Sequence, residues 1–132
     1  MRLYFDSSAV VKLVQHETES EALHAFLRTY RSDGRVTSML ARVEVVRVML
    51  AGGPPAIARA RKVLTGFDLL AMDFELLDRA ATLPADPRLR SLDAIHVASA
   101  QAIGAELRAF VTYDRRLTEA ATALGLPVVA PV

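Results

Sequence analysis

Short apolar runs alternate with longer segments of helical periodicity along the whole chain. The first run, residues 3–5, is closed by Asp6, Ser7 and Ser8, which is the pattern of a buried strand followed by helix-capping residues. Four later runs also predict strands, and they cover residues 35–37, 67–72, 109–112 and 126–129.

The segments between these runs predict seven helices. Thr18 and Glu21 have the spacing of a capping box, in which the first residue caps a helix and the second lies three residues later. Apolar residues then recur at helical spacing until glycine, proline or a polar turn ends each segment. The predicted helices cover residues 9–14, 18–30, 39–51, 56–64, a segment capped by Asp73 and broken at Pro84, 91–103 and 117–124.

This order, β-α-α-β-α-α-β-α-α-β-α-β, is typical of a parallel sheet with helices on both faces. We therefore expect an α/β protein, a three-layer α/β/α fold with a central parallel sheet of about five strands, built as a single domain over residues 1–132. Ligands of such sheets bind outside the carboxyl ends of the strands. Three predicted strand ends carry polar residues there: Asp6-Ser7, Thr37-Ser38 and Thr112 to Asp114.

Composition narrows the class of protein. Hydrophobic residues make up 52% of the chain and charged residues 23%, which excludes disorder, and no stretch approaches the ~20 apolar residues of a membrane helix. The net charge of +1 excludes a polybasic protein, so any phosphate binding must be local. The absence of cysteine excludes disulfides and thiolate metal sites. The N-terminus lacks the pattern of a secretory signal, and we expect a cytoplasmic protein without membrane contact.

Two acidic residues stand at positions where a solvated carboxylate is not expected. Asp6 directly follows an apolar strand, where it is either a functional carboxylate or the N-cap of the next helix. Glu44 shares a helix face with Leu40 and Val48, on or beside the buried stripe. A buried charge needs compensation, which a metal ion or one of the neighbouring residues Arg42 and Arg47 could supply.

Two further acids lie at helix starts. Asp93 is in the first turn of the helix that Ser91 opens, and Asp114 follows a predicted strand; for both, a simple capping or helix-dipole role is the alternative. His96 lies one turn after Asp93 on the same face, where it either positions a carboxylate or a water or packs as a hydrogen-bonded core residue. If the four carboxylates meet at one sheet edge, their repulsion calls for a divalent cation, and oxygen ligands favour Mg²⁺ or Mn²⁺ over Zn²⁺.

With these residues in place, the sequence resembles the PIN-domain ribonucleases, specifically the VapC-type toxins of bacterial type II toxin–antitoxin (VapBC) systems. The resemblance covers essentially the whole chain. Four segments carry it: residues 4–13 (YFDSSAVVKL), 38–45 (SMLARVEV), 92–98 (LDAIHVA) and 110–117 (FVTYDRRL).

The resemblance implies endonucleolytic, metal-dependent cleavage of RNA, of the tRNA or rRNA class. It assigns the catalytic and metal-binding role to Asp6, Glu44, Asp93 and Asp114 with Mg²⁺, or Mn²⁺ as a substitute, and a supporting role in the pocket to the hydroxyls of Ser7 and Thr112. It also implies a cognate VapB-type antitoxin and a homodimer that forms a heterotetramer or larger complex with it.

Other residues are candidates for binding partners. Arg42, Arg115 and Arg116 are possible contacts to RNA phosphates, with solvated helix surface as the alternative. The apolar helices at residues 9–14 and 56–64 are candidates for the dimer or antitoxin surface. A rival hypothesis of another class is a non-catalytic PIN-fold module that binds RNA or its antitoxin without cleaving; the four intact acids favour the enzyme.

Overall fold

Five short parallel strands form the centre of the molecule. The computed structural model describes residues 1–132. The strands are Arg2–Phe5 (β1), Gly34–Ser38 (β2), Asp68–Leu70 (β3), Leu107–Val111 (β4) and Val128–Val129 (β5). They are arranged in the order β3-β2-β1-β4-β5, so that β1 lies at the centre and β4, distant in sequence, is its neighbour. The predicted parallel sheet of about five strands is confirmed.

Seven α-helices connect the strands in the predicted order. None of them is long and apolar enough to cross a membrane. The helices are Ser7–Val14 (α1), Ser20–Thr29 (α2), Ala41–Val48 (α3), Gly53–Leu64 (α4), Phe74–Ala81 (α5), Ser91–Ile103 (α6) and Arg115–Ala123 (α7), with single 3₁₀ turns at Leu50–Gly52 and Gly104–Glu106.

The two faces of the sheet carry separate hydrophobic cores, because side chains alternate along each strand. Leu3 and Phe5 of β1 lie on one face with the buried residues of α1, α2, α3 and α4. Tyr4 lies on the other face, where it packs with Phe110 of β4 and with Val97 of α6. The molecule is therefore the predicted three-layer α/β/α fold, and β1 is buried on both sides.

The start of α2 differs from the predicted capping box. The helix begins at Ser20, its N-cap is Glu19, and no side chain caps it. The Ser20 hydroxyl instead accepts a hydrogen bond from the Glu17 amide (2.8 Å) and donates one to the Lys12 carbonyl (2.8 Å). Because Ser20 joins the end of α1 to the start of α2 in this way, Thr18 is left exposed and the prediction that it caps the helix is wrong.

Helix α3 is shorter than the predicted 39–51. It ends at Val48 and continues as the 3₁₀ turn at Leu50–Gly52, because Gly53 adopts a φ of 71° that ends the helical path. The following helix α4 then starts with prolines in its first turn, where the missing N–H groups cost nothing.

Of the two apolar helices expected to form a partner surface, α1 packs mainly into the core, whereas α4 buries one face only. In α1, four residues are buried, and in α4 the buried residues are Ala56, Ala60 and Leu64. Large exposed apolar side chains lie elsewhere, on and beside α3 and at the start of α5: Met39, Val43, Val48, Leu50 and Phe74. That α1 and α4 form a dimer or antitoxin surface therefore stays a prediction.

A charged contact joins the amino ends of the central strands. Asp33, in the turn before β2, accepts hydrogen bonds from the Arg108 guanidinium of β4, and the N-terminal amine lies 3.5 Å from its carboxylate. The hydrogen bond from Arg108 holds the pKa of Asp33 below its usual range. Ionised Asp33 therefore stabilises the fold.

We expect this contribution to depend on pH. It is fully present above the unfolded-state pKa of about 4 and is lost as the pH falls through the lower folded-state value. Asp33→Asn should therefore be less stable than wild type in urea unfolding at pH 7, and the difference should shrink at about pH 3. The control is Asp78→Asn on α5, an exposed residue outside all ion pairs. An equal loss for Asp33→Asn at both pH values would contradict the assignment.

Candidate active site

Polar side chains from two neighbouring strands meet at the carboxyl edge of the sheet. Asp6 directly follows β1, and Thr112 and Asp114 follow β4. The Thr112 hydroxyl donates to Asp6 Oδ2 (2.5 Å) and accepts a hydrogen bond from the Asp114 amide (3.1 Å). Because β1 and β4 pair in parallel, residues 106 positions apart in sequence are joined at this edge.

The Asp6 carboxylate is almost completely buried and fully hydrogen-bonded. Only 3% of the residue is exposed. Oδ1 accepts hydrogen bonds from the Ala9 amide (3.0 Å) and the Ser8 hydroxyl (2.7 Å). Asp6 is thus the N-cap of α1, so the capping role and the position at the site coexist in one residue. Burial raises the pKa of Asp6, and the nearby His96 and the hydrogen bonds from Thr112, Ser8 and Ala9 only partly offset it.

Glu44 reaches the same region from α3. Its Oε1 accepts a hydrogen bond from the Ser7 hydroxyl (2.8 Å) and lies 2.8 Å from His96 Nε2. Burial raises the pKa of Glu44, but the hydrogen bonds from His96 and Ser7, together with the nearby Arg90, bring the pKa below its usual range. Ser7 and His96, rather than Arg42 or Arg47, therefore compensate the charge of Glu44. Both arginines are exposed and form no ion pair.

His96 is a buried, hydrogen-bonded residue, which was one of the two roles expected for it. Only 2% of it is exposed, and its Nδ1 lies 2.8 Å from the Tyr4 hydroxyl. Tyr4 is itself fully buried, and this burial raises the pKa of its phenol far above the usual range. A chain of hydrogen bonds thus runs from the centre of the sheet through His96 to Glu44.

Asp93 and Asp114 form the exposed side of the site. Arg90 Nε lies 3.3 Å from Asp93 Oδ2, and Arg90 Nη2 lies 4.0 Å from Asp114 Oδ2. Asp114 Oδ1 also accepts hydrogen bonds from the amides of Arg116 and Leu117, so it caps α7. The side chains of Asp93 and Asp114 are 13% and 32% exposed. Both carboxylates therefore lie at the protein surface with an arginine between them.

The four predicted acids lie in one region of the molecule, linked by intervening side chains, and do not form a tight cluster. A cavity of about 260 Å³ is lined by Glu44, Arg90, Ser91, Leu92 and Asp93. Asp114 is linked to it through Arg90, and Asp6 is linked to Asp114 through Thr112. No group of three or more histidine or acidic side chains lies close enough together to hold one metal ion.

The donor set nevertheless fits Mg²⁺ or Mn²⁺ in chemistry. Mg²⁺ binds through one or two carboxylates and keeps several waters, so three converged protein ligands are not required. The acids supply oxygen donors, and the Arg90 guanidinium already lies between two of them as a positive charge. The carboxylates of Asp93 and Asp114 therefore have the donor chemistry of a divalent-cation site.

Three contributors to the site escaped sequence reasoning. Arg90 precedes Asp93 by three residues, a helical spacing at which opposite charges meet, and this signal could have revealed it. Tyr4 gave no such signal, because its partner His96 is 92 positions away. Ser8 was identified only as a capping residue, whereas its hydroxyl donates to Asp6 and accepts a hydrogen bond from the Tyr113 amide. The predicted phosphate contacts Arg115 and Arg116 are exposed at the start of α7, next to Asp114.

Comparison with known proteins gives the family. Residues 3–123 match the PIN domain family. The chain belongs to the PIN domain family. Ribonuclease VapC46 of Mycobacterium tuberculosis is 48% identical to this PIN domain over 130 residues, covering 98% of this chain and 97% of the relative.

Solved structures share the fold of this PIN domain. A toxin-antitoxin complex from Klebsiella pneumoniae contains a chain with a TM-score of 0.75 and 21% identity, covering 100% of this chain and 98% of that one. Mycobacterium tuberculosis VapC20, a sarcin-ricin loop cleaving toxin, has a TM-score of 0.75 and 18% identity, covering 98% of this chain and 99% of the other. These findings confirm the fold class and the predicted resemblance to VapC ribonucleases.

We expect Asp6→Asn to separate stability from metal binding in this PIN domain. The raised pKa means that the contribution of Asp6 to stability is full below about pH 4 and is lost as the pH rises through the folded-state value. Asparagine keeps the helix cap without a buried charge. In EDTA, the Tm of the variant should therefore rise relative to wild type between about pH 4 and pH 8.

Thermal unfolding with and without Mn²⁺ completes this test. Mn²⁺ should raise the Tm of wild type at pH 8 and leave that of Asp6→Asn almost unchanged, because only a ligand that binds the folded state stabilises it. A Tm difference between the two proteins that is constant with pH, or equal stabilisation by Mn²⁺, would contradict the role of Asp6.

Proposed function

We propose that this protein is the toxin of a type II toxin–antitoxin pair and a metal-dependent endoribonuclease that hydrolyses RNA phosphodiester bonds. The observation that carries the proposal is the meeting of Asp6, Glu44, Asp93 and Asp114 around one edge of a PIN-domain sheet. The relative with 48% identity is named a ribonuclease, and this name supports the same activity here.

Mg²⁺ or Mn²⁺ is the proposed cofactor. Asp6, Glu44, Asp93 and Asp114 would surround it, with one or two of these carboxylates in direct contact with the ion and waters in its other positions. When bound, it supplies a more acidic water and offsets charge on the phosphate that is attacked. The chain has no cysteine, and a metal-activated water needs no covalent nucleophile.

The neighbouring hydroxyls keep the two inner carboxylates in fixed orientations. Ser8 and Thr112 donate to opposite oxygens of Asp6, and Ser7 donates to Glu44. Each hydroxyl thus donates a hydrogen bond to a carboxylate and stabilises its ionised form. These hydrogen bonds agree with the role in the pocket that the family resemblance gives to the hydroxyls of Ser7 and Thr112.

Exposed arginines beside the acids are proposed to bind RNA. Arg42 on α3 and Arg115 and Arg116 on α7 are exposed and outside all ion pairs, so their guanidinium groups are free for phosphate oxygens. Arg90 joins this set because half of its side chain is exposed between Asp93 and Asp114.

The partners and location follow from the same family. A solved neighbour in fold is a toxin-antitoxin complex, which supports a VapB-type antitoxin as the partner of this chain. Another neighbour is a toxin that cleaves the sarcin-ricin loop, which supports structured RNA of the tRNA or rRNA class as the substrate. We propose a cytoplasmic homodimer that forms a heterotetramer or larger complex with the antitoxin.

We expect the purified, antitoxin-free protein to cleave RNA with Mg²⁺ or Mn²⁺ and to lose this activity in EDTA. Asp93→Asn should reduce the cleavage rate at least about 100-fold, because even partners of metal ligands contribute 10–100-fold. Asp78→Asn on α5, exposed and away from these acids, is the matched control and should cleave like wild type. Gel analysis of total cellular RNA and sequencing of the new RNA ends measure activity and target together.

The double variant Asp6→Asn, Asp93→Asn decides the mechanism. Strong cleavage by this variant would exclude the metal site proposed here. Absence of cleavage of every cellular RNA by wild type, with RNA or antitoxin binding retained, would instead establish a non-catalytic binding module.

The arginines should affect RNA binding rather than chemistry. Arg115→Gln, Arg116→Gln should raise the KM for RNA several-fold with little change in kcat, and the salt dependence of binding should become shallower because fewer counterions are released. The control is Arg28→Gln, Arg31→Gln, an equal change in charge at exposed residues of α2 and the turn after it. An equal rise in KM for both pairs would show a general charge effect instead.

A further inference from the structure

The buried pair Tyr4 and His96 has no part in the mechanism described so far. Glu44 is the one carboxylate that His96 contacts by hydrogen bonding, and the Tyr4 hydroxyl is its other close partner. Tyr4 and His96 are both buried and inaccessible to a large substrate. They lie 92 positions apart in sequence, on β1 and α6, and Glu44 is on α3. The hydrogen bonds therefore connect three elements that the chain alone does not hold together.

The hydrogen bonds define which ring nitrogen of His96 carries a proton. Glu44 Oε1 already accepts the Ser7 hydroxyl proton, and an ionised carboxylate has none to give, so His96 Nε2 must donate. In the neutral ring, Nδ1 is then the acceptor for the Tyr4 hydroxyl at 2.8 Å. The nearby hydroxyls of Thr37 and Ser99 do not compete for Nδ1, because they donate to the carbonyls of Phe5 and Ile95.

The same bonds leave one oxygen of Glu44 free. Ser7 and His96 both use Oε1, and no protein group forms a hydrogen bond to Oε2. Glu44 lines the cavity of about 260 Å³ together with Asp93 and Arg90. A carboxylate that is held through one oxygen keeps the other for a ligand.

The position of the pair is itself rigid. The Tyr4 ring stacks on Phe110 of β4, with the ring centroids 5.4 Å apart and the planes 9° apart, and it meets the His96 ring edge-on at 6.0 Å. Tyr4 lies in the central strand, between β2 and β4. The orientation of Glu44 is thus set by the most buried part of the sheet.

We propose that Tyr4 and His96 are positioning residues that hold Glu44 through Oε1 and keep Oε2 available for the divalent metal ion. The inference rests on the proposed function, in which Glu44 is a metal ligand. His96 acts through Glu44 as an Nε2–H donor, and Tyr4 acts through His96 by fixing the tautomer.

The metal affinity of three variants tests this role without RNA. In His96→Leu the donor to Glu44 is lost, and the Mn²⁺ dissociation constant should rise about 10–100-fold. In His96→Gln an amide N–H replaces Nε2–H, and affinity should return to within a few-fold of wild type. Tyr4→Phe, which removes only a hydroxyl, should give an intermediate loss. Electron paramagnetic resonance of free Mn²⁺ measures each constant.

Ser20→Ala is the control for a merely structural effect. Ser20 is buried and hydrogen-bonded, but it joins α1 to α2 and does not contact the pair. The Ser20→Ala variant should have a lower Tm than wild type and the same Mn²⁺ dissociation constant. Unchanged Mn²⁺ affinity in folded His96→Leu, or no difference between His96→Gln and His96→Leu, would overturn the proposal.

The tautomer gives a second measurement that depends on neither metal nor activity. Nitrogen-15 NMR of the metal-free protein should show His96 with a protonated Nε2 and a bare Nδ1, and Tyr4→Phe should change this signal. The other two histidines, His16 and His24, are exposed, and the spectrum of His96→Gln identifies which signal belongs to His96. A protonated Nδ1 with a bare Nε2 would overturn the proposal even if the variants fail to fold.

These readouts also separate the two proposals. If wild type shows the expected tautomer and the expected order of Mn²⁺ affinities but cleaves no RNA, the proposed function fails and the positioning role stands. If wild type cleaves RNA with Mn²⁺ while His96→Leu binds the ion as tightly as wild type, only the positioning role fails.

Discussion

The buried carboxylate of Asp6 at the end of the central strand is the constraint on which the rest of the site depends. Removing a carboxylate from water is unfavourable unless hydrogen bonds or a cation compensate. The first turn of α1 supplies the Ala9 amide and the Ser8 hydroxyl, and β4 supplies the Thr112 hydroxyl. These contacts require β4 to be the direct neighbour of β1, so the strand order and the site have the same physical cause.

The rest of the fold places the other acids relative to Asp6. Ser7, the next residue, contacts Glu44 and thereby connects α1 to α3. Asp114 follows Thr112 by two residues and caps α7, and Arg90 connects it to Asp93 on α6. Each connection is a single hydrogen bond or ion pair, which explains why the carboxylates surround a cavity rather than forming a closed set of ligands.

The sequence predicted the element order and the strand ends because both depend on local patterns. Apolar runs and the polar residues that follow them identified Asp6 and Asp114 correctly as residues of one sheet edge, and Asp73 was correctly predicted to cap α5. The capping box at Thr18 failed because a contact between α1 and α2 uses Ser20 instead. Local spacing cannot show a competing contact from another helix.

Of the partners considered for Glu44, the two arginines were wrong for the same reason, and the metal ion stays a prediction. Arg42 and Arg47 were expected because they are near Glu44 in sequence. The observed partner, His96, is 52 positions away. The family resemblance gave the identity of the four acids, yet it contained no information on what holds them. Only the packing of α6 against the sheet shows that Tyr4 and His96 lie behind Glu44.

The inner and outer parts of the site differ in how firmly their charges are held. The ion pair of Arg90 with Asp93 involves an arginine side chain that is 53% exposed, and exposed pairs contribute only about 0.2–1 kcal/mol. A divalent cation interacts with the same carboxylates with twice the charge, so Arg90 can be displaced at little cost. Asp6 is held by buried hydrogen bonds and Glu44 by partly buried ones, and both sets are less exposed to water than the Arg90 side chain. The site therefore combines a rigid inner half that orients ligands with an outer half whose resident cation is easily exchanged.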